Sequence, residues 1–120
     1  MFRVEYDRAA NLLRITVAGF WKPEDVPAFA RVVGAKTQEA RAVRDDFDVI
    51  VDSLAFPVQA NDVADLLTSV LAGGAALTSG WFAVVVGSQL NKLQAERTLV
   101  HPRLSVFRSM RAAEAWLAAR

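Results

Sequence analysis

The chain contains no cysteine, which excludes disulfides and thiolate metal sites. It contains one histidine, His101. It also lacks an excess of either charge: fourteen basic residues stand against thirteen acidic ones, for a net charge of +1. A dedicated nucleic-acid binder usually carries a strong basic excess, so no nucleic-acid partner is expected. Eleven of the basic residues are arginines, and they are scattered. The opening Met1-Phe2-Arg3-Val4-Glu5 lacks the basic, apolar and small-residue regions of a signal peptide, which leads us to expect a cytoplasmic protein. Internal repeats, linkers and low-complexity tracts are absent as well.

What is present is a globular composition. Of 120 residues, 53% are hydrophobic and 22% charged, enough to build one core without staples in a single domain spanning 1–120. One uncharged run, Leu66 to Asn91, covers 26 residues, long enough to cross a bilayer. Gly73-Gly74 and Thr78-Ser79-Gly80 interrupt it, so a buried helix, a turn and a buried strand describe it better than a membrane span.

Phe2, Val4 and Tyr6 alternate with polar residues, as do Leu13, Ile15 and Val17. Period-two alternation predicts two half-buried strands joined as a hairpin by Asp7 to Asn11. Asp25 is placed to cap a first helix, with Pro27 in its first turn. Val26, Phe29, Ala30, Val33 and Ala40 give that helix its apolar stripe, which Gly34 weakens. Phe47 to Val51, ending at Asp52, predicts a buried parallel-type strand. Asn61 or Asp62 is placed to cap a second helix with Val63, Leu66, Leu67, Val70 and Leu71 inward, stopped by Gly73-Gly74. Trp81 to Val86 predicts a further buried strand, ended by Gly87. Ser88 caps a third helix with Leu90 and Leu93 inward, and Pro102 marks its end. Leu104 to Phe107 is a short strand. Ser109 caps a last helix with Met110, Ala113, Trp116 and Leu117 inward. The order β-β-α-β-α-β-α-β-α predicts an α/β domain with a mixed, mostly parallel five-stranded sheet.

Candidate site residues cluster at predicted strand ends, where ligands of open α/β sheets bind. Asp52 and Ser53 end the third strand. Asp52 there serves either a ligand or an Asx turn at the start of the following loop. Gly87 and Ser88 follow the fourth strand, where backbone N–H groups and a helix N-terminus suit an anion, but one glycine does not make a phosphate loop. Phe56 sits beside Pro57 and Val58 in an apolar loop suited to line a pocket, contact a partner or cover the sheet end. His101 has no recognisable nucleophile elbow or partner motif and reads as a solvated helix-end residue. Asp45, Asp46 and Asp48 match no calcium-loop spacing and read as a solvated turn. No metal and no cofactor is expected.

The element order, Gly19-Phe20-Trp21, Leu90-Asn91-Lys92-Leu93-Gln94-Ala95-Glu96-Arg97, and Val106 to Met110 continuing into Ala115-Trp116-Leu117 together resemble the STAS family of SpoIIAA-like domains, the fold of anti-sigma-factor antagonists. The resemblance covers nearly the whole chain in topology. It implies a non-catalytic regulatory module that binds another protein. Phosphorylatable members carry a serine-containing stretch at the start of the second helix. The matching positions here, Ala60, Asn61 and Asp62, hold no hydroxyl, so that switch does not carry over. Asp62 there either imitates a phosphorylated side chain or caps the helix.

An alternative is an apolar small-molecule or lipid-binding domain. It is motivated by the apolar loop Ala55 to Val58, the uncharged run, and the kinship of some SpoIIAA-like proteins with SEC14-like lipid-binding domains. An enzyme using His101 or Asp52 is a third reading. Each has a signature: an exposed apolar patch of several hundred Å², an enclosed apolar cavity of about 300 Å³ or more, or His101 bonded to a carboxylate or hydroxyl in a cleft. A homodimer is the commonest soluble assembly and is carried as a base-rate expectation.

Overall fold

A computed structural model describes residues 1–120. Five strands lie in the spatial order β1 (Phe2–Asp7), β2 (Leu12–Ala18), β3 (Asp48–Ala55), β4 (Phe82–Val86), β5 (Leu104–Phe107). β1 pairs antiparallel with β2, and every later pairing is parallel. Four helices follow the strands: α1 (Val26–Val43), α2 (Asn61–Ala75), α3 (Gln89–Thr98) and α4 (Met110–Ala118). The expected α/β class, the element order and the mixed, mostly parallel sheet are all present.

Strands that add in chain order, with crossovers of one hand, stack their connecting helices on one face of the sheet. α1, α2 and α3 accordingly share one face. There, Leu13, Ile15, Val17, Val49 and Phe82 pack against Phe29 and Val33 of α1 and Val63 of α2. α4 alone takes the opposite face, where Ala113 and Leu117 meet Ile50, Ala83 and Val85. β4 is buried along its whole length because both of its faces are covered. β1 and β2 turn Arg3, Glu5, Arg14 and Thr16 outward on the side that α4 does not reach, which explains their clean alternation.

Five local expectations are corrected. β3 runs to Ala55, so Asp52 and Ser53 lie within the strand, and pairing continues as far as Ser53 with Val86 and Ala18 with Ala55. Asp25 occupies the N-cap position of α1, but its carboxylate accepts the Lys22 N–H at 2.8 Å and closes the preceding 3-10 turn (Pro23–Asp25) instead. Neither Asn61 nor Asp62 caps α2. The helix begins at Asn61 itself, and Asp62 accepts the adjacent Val63 N–H. Gly73-Gly74 does not stop α2, which continues to Ala75. The end is set by burial of Ala75 and by Arg103 and Arg41, which donate to the carbonyls of Ala75 (2.9 Å) and Leu77 (2.5 Å). Leu90 and Leu93 of α3 do not face inward. They are 66% and 55% exposed, while Ala95 and Leu99 pack against the sheet. Asn91 and Gln94 fix that rotation by donating to the carbonyls of Phe56 and Gln59. Ser88 and Ser109 cap α3 and α4 as expected, accepting the N–H of Asn91 at 3.1 Å and of Ala112 at 3.0 Å.

Two glycines predict opposite responses to alanine. Gly34 is exposed in mid-helix with open space around it, so Gly34→Ala raises unfolding free energy by about 0.5–1 kcal/mol. A Cβ on Gly87 would stand 2.5 Å from the Leu54 carbonyl oxygen, so Gly87→Ala forces the ends of β3 and β4 apart and costs about 1–3 kcal/mol. Urea unfolding of the two variants checks both signs.

Candidate functional site

The face shared by α1, α2 and α3 is not fully packed. α1 and α3 rest on the strands, but no Cα of α2 comes within 8 Å of a strand Cα. Beneath α2 lies a cavity of about 140 Å³. Its floor is the inward set of β2, β3 and β4, including Ile15, Val49, Val51 and Val84. α1 contributes Phe29, Val33 and Thr37 as one wall, and α2 forms the roof through Leu67, Val70, Leu71 and Gly74. Of 18 lining residues 15 are hydrophobic, and none is charged. The floor from Val49 to Ser53 spans about 13 Å at a strand's rise per residue, so the cavity is a narrow slot along β3.

The local sequence explains why α2 stands off. Its ends are tied and its middle is not. At the C-terminal end, Arg103 holds the Ala75 carbonyl and Arg41 the Leu77 carbonyl just past the helix, and Arg103 also donates to the Gly80 carbonyl and stacks over Phe82. At the N-terminal end, Gln59 is only 5% exposed. Its amide oxygen accepts the Trp21 N–H at 2.9 Å, and its amide nitrogen donates to the carbonyls of Gly19 at 3.0 Å and Pro57 at 2.8 Å. Gln94 in turn donates to the Gln59 carbonyl. Between these anchors α2 fully buries only Val63 and Ala75, and Gly74, which lines the gap, offers no side chain to fill it.

An aromatic group closes the end of the slot near the strand C-termini. Trp21 packs edge-on to Phe29 (5.1 Å between ring centroids) and Phe56 (5.3 Å), and its indole N–H donates to the Ala18 carbonyl. Beyond Phe56 a second cavity of about 90 Å³ opens between α2 and α3, sharing Ser53, Phe56, Leu67, Val84 and Leu99 with the first. It adds Gln59, Asn91, Gln94 and Thr98, so it is more polar than the slot but equally uncharged.

Of the residues singled out from sequence, Ser53 and Phe56 come together at the junction of the two cavities. Ser53 is buried, and its hydroxyl donates to the Val85 carbonyl. Asp52 alternates to the α4 face, away from the slot, and accepts the N–H of Leu54 at 3.2 Å, which matches the Asx reading. Asn61 and Asp62 are exposed at the start of α2, and Gly87 and Ser88 lie past the end of β4. None of the four lines either cavity. His101 accepts the Arg103 backbone N–H through Nδ1 at 3.1 Å and packs near Phe82. Asp45, Asp46 and Asp48 diverge. Asp46 binds Arg44 and Asn11, while Asp48 accepts the Trp81 N–H at 2.8 Å. Gln59 and Thr37 carry weaker signals in the sequence. A lone amide in an apolar loop is the signal for the first, since a buried amide needs partners. Helical spacing is the signal for the second, because Thr37 falls four residues after Val33 and three before Ala40.

No protein-family model matches this chain, and no curated protein matches it in sequence.

Two predictions follow the ties and the charges. Gln59→Leu leaves the Trp21 N–H and Gly19 carbonyl without partners and costs about 2–4 kcal/mol, measured by urea unfolding. Burial pushes the Asp48 carboxyl above its usual range, against the pull of the Trp81 N–H, and the charge on Asp46 adds to the rise. The folded state therefore holds the Asp48 proton more tightly than the unfolded one, and this contribution to stability fades as pH rises through the folded pKa. Asp48→Asn keeps an oxygen for Trp81 and removes that loss. Its melting temperature exceeds that of the unmodified chain at neutral pH, and the two converge below about pH 4.

Proposed function

We propose that this chain is a STAS-like domain that binds an apolar small molecule or a single lipid chain in the slot beneath α2. The observation that carries the reading is the roof itself. A helix anchored at both ends stands away from the sheet over an uncharged, almost wholly apolar space, where a packed core would bring it down. The cavity is smaller than the roughly 300 Å³ typical of drug-sized ligands. It suits a slender occupant, since a dry apolar cavity of about 150 Å³ accepts a molecule the size of benzene. The resemblance of the chain to SpoIIAA-like domains supports the same reading through their kinship with lipid-binding domains.

A regulatory module that binds another protein is the second reading. The resemblance supports it, as do Leu90 and Leu93, which α3 exposes. The two readings separate on one titration. The full chain titrated with 1-octanol, followed by the amide and methyl chemical shifts of Ile15, Val51, Val70 and Leu71, is expected to show saturable one-to-one binding and a raised melting temperature. Val70→Trp fills the slot from the roof and is expected to abolish the binding while remaining folded. Absence of saturable shifts in the unmodified chain, or undiminished binding by a folded Val70→Trp, overturns the ligand reading.

A further inference from the structure

Four polar residues are buried: Thr37, Ser53, Gln59 and Thr78. Three have partners. Ser53 bonds the Val85 carbonyl, Gln59 makes the three bonds described above, and Thr78 donates to the Phe47 carbonyl at 2.7 Å while accepting the Gly80 N–H. The side-chain hydroxyl of Thr37, a residue 2% exposed, has no hydrogen-bond partner within the protein. Helical threonines commonly donate to the carbonyl four residues back, as Thr68 and Thr98 do here. Thr37 does not. No side-chain nitrogen or oxygen that is fully sealed lacks a partner, so the Thr37 oxygen is not sealed in, and the slot is the space that Thr37 lines.

Leaving a buried hydroxyl unpaired costs free energy, and valine has the same shape without that cost. The hydroxyl lines the slot, so a polar group on a molecule held there can pair with it in place of water. Thr37 follows Phe29 by two helical turns on the same face of α1, which places it about 12 Å along the slot from the aromatic end. The rest of the lining is apolar apart from Ser53, whose proton is already committed to Val85. With no charged side chain lining either cavity, a carboxylate, phosphate or ammonium would lie uncompensated there.

We propose that Thr37 is a ligand-binding residue, and that the slot selects an apolar molecule bearing one uncharged hydroxyl or carbonyl group at the end that meets Thr37. This deepens the ligand reading above and rests on it. The threonine hydroxyl both donates and accepts, so it pairs with either group.

The test compares 1-octanol with nonane, which has the same number of heavy atoms and no oxygen, on the full chain and on Thr37→Val, with binding read from chemical shifts. The unmodified chain is expected to bind both. Thr37→Val is expected to bind 1-octanol about three- to tenfold more weakly and nonane unchanged, the size of one net hydrogen bond. Thr37→Ser keeps the hydroxyl and is expected to keep the preference for 1-octanol, which guards against a packing effect of valine. Equal loss of both probes in Thr37→Val, or no loss of either, overturns the role of Thr37 and leaves the slot reading standing. Failure of the unmodified chain to bind either probe overturns both.

Discussion

The suspension of α2 from its two ends is the constraint on which the rest of the site depends. Arg103 holds the last carbonyl of α2 and Arg41 the Leu77 carbonyl just beyond it, and Gln59 holds the entering chain to the exit of β2. Both anchors are hydrogen bonds to backbone groups, and together with the apolar contacts of Val63, Leu67, Val70 and Leu71 they set the height of the helix. A helix whose inner face carries half-buried Leu67, Val70 and Leu71 and, near its end, Gly74 gains little by moving closer to the sheet. The slot is the space left between those two facts. The five ion pairs lie at accessible positions and contribute little to this arrangement.

The two faces of the sheet show the contrast. α4 lies directly against β3, β4 and β5, with Ala113 fully buried. Trp81 and Trp116 meet edge-on beside it, and the Arg120 guanidinium covers both rings. The same short parallel strands thus support a closed layer on one side and an open one on the other. What differs is the roof: Ala113 and Leu117 are buried against the sheet, whereas Leu67, Val70 and Leu71 are half-buried against the core and line the slot.

Much of the fold is legible in the sequence because periodicity reports which face is buried. The alternation of Phe2, Val4 and Tyr6, the apolar block of β4, and the serine caps at Ser88 and Ser109 all appear where the pattern puts them. The site is less legible. Ser53 and Phe56 were reached by the rule that strand ends carry ligands, but β3 is longer than its apolar run, so Asp52 lies inside the strand and turns to the other face. Leu90 and Leu93 are spaced like a buried stripe. The amides of Asn91 and Gln94, bonded to the loop before α2, rotate them outward, and a tertiary hydrogen bond leaves no trace in local periodicity. Gly73-Gly74 reads as a stop, yet the helix is carried through it by contacts distant in sequence. The height of α2 above the sheet, the feature that makes the slot, arises from pairings 23 to 40 residues apart, such as Arg103 with Gly80 and Gln59 with Gly19.

The most direct test is native mass spectrometry of the chain purified gently from its own cells. One small uncharged apolar molecule per chain is expected, released on unfolding and absent from the Val70→Trp variant purified in the same way. A bare chain, under conditions that preserve other non-covalent complexes of similar affinity, would contradict it.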